Sequence, residues 1–194
     1  NVFGEINMSR IGIDVDGVLR DFCGDLTRVV EKEFPQYMKD DFNGINDWKL
    51  ENCFNATKAE LQEIYWHSHV DKIYANGNPM YGAIKKMYDL FDWGEENGHT
   101  FVCITSQKPF ARYHTLYWLG KYGMNFDTVY FRRGREKWKV DVDYLVDDGP
   151  NNHQAWVTGR GMQEGFILMD APYNQHCNSP HRITSLDEVK GLIN

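Results

Sequence analysis

The sequence predicts an α/β domain, with a mostly parallel five-stranded sheet flanked by helices and a small helical cap inserted after strand 1. Three observations carry this. Short β-branched or apolar runs alternate with segments of helical period, the pattern of strand–helix–strand units. Two of those runs end in acidic turns, Asp14-Val15-Asp16-Gly17 and Asp147-Asp148-Gly149. The stretch after the first turn is far longer than a crossover between parallel strands requires.

Each element has its own signal. Arg10 to Val15 reads as the first buried strand. Phe22, Leu26, Val29, Val30 and Phe34 follow helical spacing, and Pro35 stops that helix. A second helix is expected over Lys58 to His67. Asn78-Pro79 reads as an N-cap followed by proline at the first helical position, with Ile84, Met87 and Phe91 as the buried stripe. Thr100 to Thr105 is the second strand, and Tyr113 to Tyr122 the next helix, with Leu116 and Leu119 inward. Thr128 to Phe131, Tyr144 to Val146 and Phe166 to Met169 are strands three to five, with a short helix over Asn152 to Thr158. Gly159-Arg160-Gly161 reads as a turn, and Ser185-Leu186-Asp187-Glu188 as a capping box opening a last helix. The expected division is a core of residues 8–20 and 78–194 and a cap of residues 21–77. Met8 reads as the native start, with residues 1–7 appended.

Composition bounds the function. A chain of 194 residues, 42% hydrophobic and 25% charged, buries a core without needing disulfides or a metal to fold. The formal net charge of −7 argues against a general phosphate-backbone binder. Aromatic residues at 14% leave material for a stacking pocket. No apolar run approaches a membrane span, and no secretory signal is read at the start. The four cysteines lie far apart with no CxxC pair and read as free thiols of a reducing cytoplasm.

The chemistry sits in the acidic turns. In an extended strand residues i and i+2 share a face, so Asp14 and Asp16 emerge together, and Gly17 lets the chain turn beyond them. In a parallel sheet the Asp147-Asp148 turn opens on the same edge. Two like charges 4 Å apart repel by about 4 kcal/mol at an effective dielectric near 20. Such a cluster needs a cation or shifted pKa values, and an all-oxygen set favours Mg²⁺. An EF-hand is set aside, because Val18 stands where the third acidic ligand belongs. His67-Ser68-His69 is not read as zinc-binding, since residues i and i+2 of a helix diverge.

Four stretches, in order, resemble the motifs of the haloacid dehalogenase (HAD) superfamily: Asp14-Val15-Asp16-Gly17-Val18-Leu19, Ile104-Thr105-Ser106, Lys137, and Asp147-Asp148-Gly149-Pro150. Asp21-Phe22, the ten-residue interval from Lys137 to Asp147, and Asn174-Gln175-His176 narrow the resemblance to the 5′(3′)-deoxyribonucleotidase branch. It implies a HAD-like Rossmannoid fold and a Mg²⁺-dependent phosphomonoesterase acting on nucleoside monophosphates through an aspartyl-phosphate. By that likeness Asp14 is the nucleophile and Asp16 the acid/base. Asp14, the Asp16 backbone carbonyl and Asp148 hold the metal, with Asp147 in support. Thr105 and Ser106 donate to phosphoryl oxygens, Lys137 neutralises the transferring group, and Phe22 and Trp48 stack the base. Asp47 and Lys49, beside Trp48, are candidates for contacts to base edges.

The competing readings are a HAD phosphatase for a sugar phosphate or a polynucleotide 3′-phosphate, and a non-catalytic nucleotide-binding protein of the same fold. The acidic balance disfavours the polymer, the aromatic cap residues the bare sugar, and the intact Asp14/Asp16 pair the mere binder. The expected partner is a small nucleotide, with no nucleic-acid polymer and no membrane; a homodimer is left open.

Overall fold

The structure is a computed structural model that describes residues 8–193. The expectation for residues 1–7 lies outside that range. Five α-helices, among shorter helical turns, surround one parallel sheet: α1 (Phe22–Glu33), α2 (Lys58–Glu63), α3 (Ala83–Asn97), α4 (Arg112–Lys121) and α5 (Pro150–Arg160). The strands are β1 (Arg10–Ile13), β2 (Thr100–Thr105), β3 (Val129–Phe131), β4 (Tyr144–Asp147), β5 (Phe166–Met169) and β6 (Arg182–Ile183), in the order β3-β2-β1-β4-β5-β6. Every pairing is parallel.

The sheet therefore has six strands, not five. The sixth is two residues long, too short for any periodicity, and exists because Arg182 and Ile183 pair with Leu168 and Met169. Arg182 is tied down further by Asp170, 2.7 Å away, and by the Asn174 side chain at 2.8 Å.

Both faces of the sheet are covered. Ile11, Ile13, Phe101 and Cys103 pack with Met87, Leu90 and Trp118 on one face. Val102, Ile104, Leu145 and Leu168 pack with Trp156 and Phe166 on the other. Alternate residues of one strand thus serve opposite layers, as expected of a sheet buried on both sides. Residues between β1 and α3 gather a separate cluster around Leu26, Val30, Phe54, Leu61 and Ile73. No helix among the described residues is long and apolar enough to cross a membrane.

Several local expectations are corrected by tertiary contacts. Asn78-Pro79 does not start a helix: α3 begins at Ala83 after Gly82, and Asn78 is held by the Asp25 carboxylate through its backbone N–H (2.8 Å) and side-chain amide (2.9 Å). The helix at Lys58 stops at Glu63 and relaxes into a wider π-helical turn over Ile64–Ser68. Leu116 faces solvent; Thr115, Trp118 and Leu119 are the buried residues of α4. Gly159 and Arg160 belong to α5, which ends at Gly161 with φ +70°. The Ser185 box does not form: Glu188 instead accepts from the Thr184 N–H and hydroxyl, both at 2.9 Å, and the segment is a 3₁₀ turn.

The strand order reverses at β1, whose neighbours are β2 and β4. Ligands of open parallel sheets bind beyond the carboxyl ends of the strands at such a switch point. Asp14 follows β1 there, and Asp147 closes β4.

Candidate active site

The β1 turn is built by its own hydrogen bonds. Leu19 and Arg20 N–H groups both donate to the Val15 carbonyl at 2.8 Å, and Gly17 donates to the Arg20 carbonyl at 2.9 Å. Gly17 takes φ +78°, and a Cβ there would collide with the Asp148 carboxylate. Its absence lets the two acidic turns close on each other. Oxygens of Asp14, Asp147 and Asp148 lie within 4.8 Å of one another, and all three residues are buried.

One ammonium enters this cluster. Lys137 is 1% exposed and pairs with Asp14 at 2.5 Å and Asp147 at 2.6 Å. It comes from a 3₁₀ helix, Gly134–Lys139, and α5 pins the end of that helix and the strand-like stretch after it. Arg160 donates to the carbonyls of Trp138 (3.0 Å), Val140 (2.7 Å) and Val142 (2.7 Å). Asp147 is saturated inside the protein: besides Lys137 it accepts from Gly149 N–H at 2.7 Å and the Asn152 amide at 2.9 Å. Asp148 instead borders the cleft and accepts from the Tyr173 hydroxyl. Asn174, fully buried, donates to the Asp148 carbonyl at 2.9 Å and the Met169 carbonyl at 2.8 Å, so it anchors the acidic turn to β5.

The electrostatics follow from three acids against one ammonium. Burial raises the Asp14 carboxyl, and Asp147 and Asp148 add to it against the opposing pull of Lys137. Burial, then Asp147, pushes Asp148 up to about 7, opposed by the Tyr173 hydrogen bond. Burial alone would lower Lys137, but Asp14 and Asp147 outweigh it and hold the ammonium above its ordinary value. A hard divalent cation fits this all-carboxylate set and would offset its excess negative charge. Cys23 borders the same cleft, but burial and then Asp148 push its thiol far up, so it is no nucleophile here.

Asp16 stands apart from the carboxylate cluster. Its carboxylate is held by Arg20 at 2.8 Å and by the Gln107 amide at 2.6 Å, while it still borders the cleft. Arg20 is wholly buried. Its guanidinium lies 4.9 Å from the Tyr74 ring and 5.4 Å from Trp118, and it donates to the Tyr74 carbonyl (2.7 Å) and the Thr115 hydroxyl (3.2 Å). Thr105, at the end of β2, has a buried hydroxyl with no partner among the described residues. Ser106 is exposed and spends its hydroxyl proton on the Arg132 carbonyl at 2.9 Å.

Asp14, Asp16, Thr105, Ser106, Lys137 and Asp148 line a cleft of about 660 Å³ whose remaining lining is rich in aromatic residues. Phe22 packs edge-on against Tyr65 at 5.6 Å, and Trp66 stacks on Tyr74 at 5.2 Å. Trp48 is 41% exposed and sits 5.6 Å from Tyr173. Asp47 is committed to its own loop, accepting from Lys49 N–H at 2.8 Å and the Asn52 amide at 2.7 Å. Sequence reasoning missed Arg20, Gln107, Asn152 and Tyr173. Only Arg20 carried a signal, a cation among the apolar residues after the acidic turn. Trp66 also borders the cleft.

The chain is similar to known proteins along nearly its whole length. The family model described as 5′ nucleotidase, deoxy (pyrimidine), cytosolic type C protein matches residues 7–194. The human mitochondrial 5′(3′)-deoxyribonucleotidase is 27% identical over 180 residues, covering 86% of this chain and 72% of that protein. Among solved structures, a magnesium-bound HAD hydrolase of Bacillus subtilis superposes with TM-score 0.61 at 12% identity, covering 96% of this chain and 99% of that one. A HAD-superfamily hydrolase of Geobacter sulfurreducens gives 0.60 at 13% identity, covering 96% and 97%. With a family model spanning the chain and the HAD architecture beneath it, the protein belongs to the 5′ nucleotidase, deoxy (pyrimidine), cytosolic type C family and is a phosphomonoesterase of 5′-nucleotidase type.

Proposed function

We propose that the protein hydrolyses nucleoside monophosphates, deoxynucleotides above all, through an aspartyl-phosphate on Asp14, with Mg²⁺ as its cofactor. The observation that carries this is the buried Lys137 between Asp14 and Asp147 beneath an open cleft. A nucleophile held against a permanent cation is what attack on an anionic phosphoryl group requires.

Asp14 and Asp148, which border the cleft, together with the Asp16 backbone carbonyl, would hold the metal; Asp147, fully engaged by Lys137, Gly149 and Asn152, supports from behind. When bound, that ion supplies charge neutralisation for the attacking carboxylate and the phosphoryl oxygens. In the first step an Asp14 oxygen forms a bond to phosphorus while the ester P–O bond breaks. Asp16 gives its proton to the leaving oxygen. In the second step Asp16 takes a proton from water, which attacks phosphorus and frees Asp14. Lys137 offsets charge on the transferring group, and the unpartnered Thr105 hydroxyl is available to donate to it. Residues 21–77 act as the cap, and Phe22 and Trp48 on its wall stack the base.

Asp14→Asn tests the reading. Phosphate release from deoxynucleoside monophosphates with Mg²⁺ should fall by about 10⁴-fold or more, the scale seen when a nucleophile is removed. Retained turnover removes Asp14 as nucleophile.

A further inference from the structure

A second basin adjoins the cleft, of about 910 Å³, and the two share Trp66, Ser106 and Gly134 as their common rim. Gln107 stands in the partition: its amide holds Asp16 on one side at 2.6 Å, and the residue lines the basin on the other. The basin is cationic on a chain of net charge −7. Lys108, Arg112, Arg132 and Arg133 line it, and none has a carboxylate partner among the described residues. Only Lys139 is offset, by Glu136 at 3.3 Å.

Three of these cations are also held in place. Arg112 lies against Phe131 at 5.1 Å, Lys108 sits 5.5 Å from the Trp66 ring, and Arg132 lies 5.6 Å from Tyr130. The Arg112 Nε is buried without an acceptor among the described residues. A buried charged donor with no partner is costly, and stacked guanidinium groups are suited to oxyanions. The first turn of α4, which has no side-chain cap, forms part of the same wall through Arg112.

We infer that this basin is a second phosphate subsite and that the preferred substrate is a nucleoside bisphosphate, one phosphate at Asp14 and the other among Arg112, Arg133 and Lys108. The inference rests on the phosphomonoesterase reading and extends its substrates from nucleoside monophosphates to bisphosphates, which it ranks first. A small bisphosphate is chosen over a polymer because the cations are confined to one basin while the chain as a whole is acidic, and a polymer would need a longer basic track.

The experiment has two arms. In the first, the inactive Asp14→Asn protein is titrated calorimetrically with deoxyadenosine 3′,5′-bisphosphate, deoxyadenosine 5′-monophosphate and a 3′-phosphorylated DNA decamer. The bisphosphate should bind about 10-fold or more tighter than the monophosphate, the size expected of one charge-assisted contact set. In the second, kcat/KM is measured for both small substrates. The wild type should favour the bisphosphate, and Arg112→Gln/Arg133→Gln should erase the preference while leaving monophosphate turnover within about twofold. Lys108→Ala/Arg133→Ala changes only exposed side chains and guards against misfolding. Equal binding of bisphosphate and monophosphate, a preference that survives both variants, or tighter binding of the decamer each overturns the subsite. If no monophosphate is hydrolysed, the phosphatase reading fails, and the binding arm still decides the basin.

Discussion

The two walls of the cleft are made differently. The β-sheet wall is polar and buried, and all but the Thr105 hydroxyl is largely satisfied within it: Lys137, Asp147, Asn152 and Asn174 spend nearly every donor and acceptor on one another and on nearby backbone. The facing wall is aromatic and partly open, with Trp48 41% exposed and Phe22 half-buried. Arg20 stands at the joint. Its N–H and carbonyl lie in the β1 turn, and Asp21 N–H donates to the Asn78 carbonyl while Met80 N–H donates to the Leu19 carbonyl, both at 2.8 Å. The outgoing and returning strands of the 21–77 segment are therefore laced together there. The contrast teaches a division of labour: the charged groups are fixed by burial and mutual contacts, whereas the aromatic wall stays partly open to solvent.

The largest effect should come from the rigid wall. Lys137→Met leaves Asp14 and Asp147 buried without their cation. Stability should fall by about 3–5 kcal/mol in chemical denaturation, as for other broken buried pairs. Turnover should fall by about 10²–10³ at saturating nucleotide, the scale of a lost oxyanion donor. A mild loss of both would mean that the ion pair is not the organising contact.

At the joint, Arg20→Gln should separate positioning from chemistry. If Arg20 aims Asp16, kcat/KM, which reports transfer to Asp14 and not the later hydrolysis, should drop by about 10²-fold for nucleotides, whose leaving oxygen needs a proton. p-Nitrophenyl phosphate, whose leaving group needs none, should lose much less. An equal fall for both substrates points to a general loss of structure.

On the aromatic wall, Trp48→Ala should raise KM for nucleotides by about 10-fold, in line with 1–3 kcal/mol for a base–aromatic stack. KM for a small phosphate ester and thermal stability should scarcely move. Equal changes for both substrates reject stacking by Trp48.

The smallest effect lies behind that wall. Glu33 accepts from Lys72 at 2.5 Å and His69 at 2.7 Å, and these bonds lower its pKa from the ordinary 4.5 to about 2. A depressed carboxylate contributes stability above its unfolded value and loses it as pH falls through the folded one. The Tm gap between wild type and Glu33→Gln should be full above pH 5 and close toward pH 2. A constant gap shows that the pair contributes no pH-linked stability.

Much of the rigid wall was readable from the chain. Asp14, Asp147, Asp148 and Lys137 fall at fixed spacings beside strands whose apolar pattern is plain, and a parallel sheet brings such strand ends to one edge. The joint and the aromatic wall were far less readable. Gln107 reaches Asp16 across 91 residues and Tyr173 reaches Asp148 across 25, with no local pattern to announce either. Asn78 looked like a helix cap because its own neighbours allow it, yet Asp25, 53 residues away, outcompetes that role.

Taken alone, the linear order of residues determined the α/β alternation, the acidic turns and the surplus segment after β1, because backbone propensity, side-chain period and turn chemistry act over a few residues. Tertiary packing decided which carboxylates Lys137 pairs with, which one Arg20 holds, and where four cations with no carboxylate partner among the described residues gather beside the cleft. Those outcomes depend on burial and on distances between groups remote in the chain, and Coulomb and desolvation energies respond to nothing else.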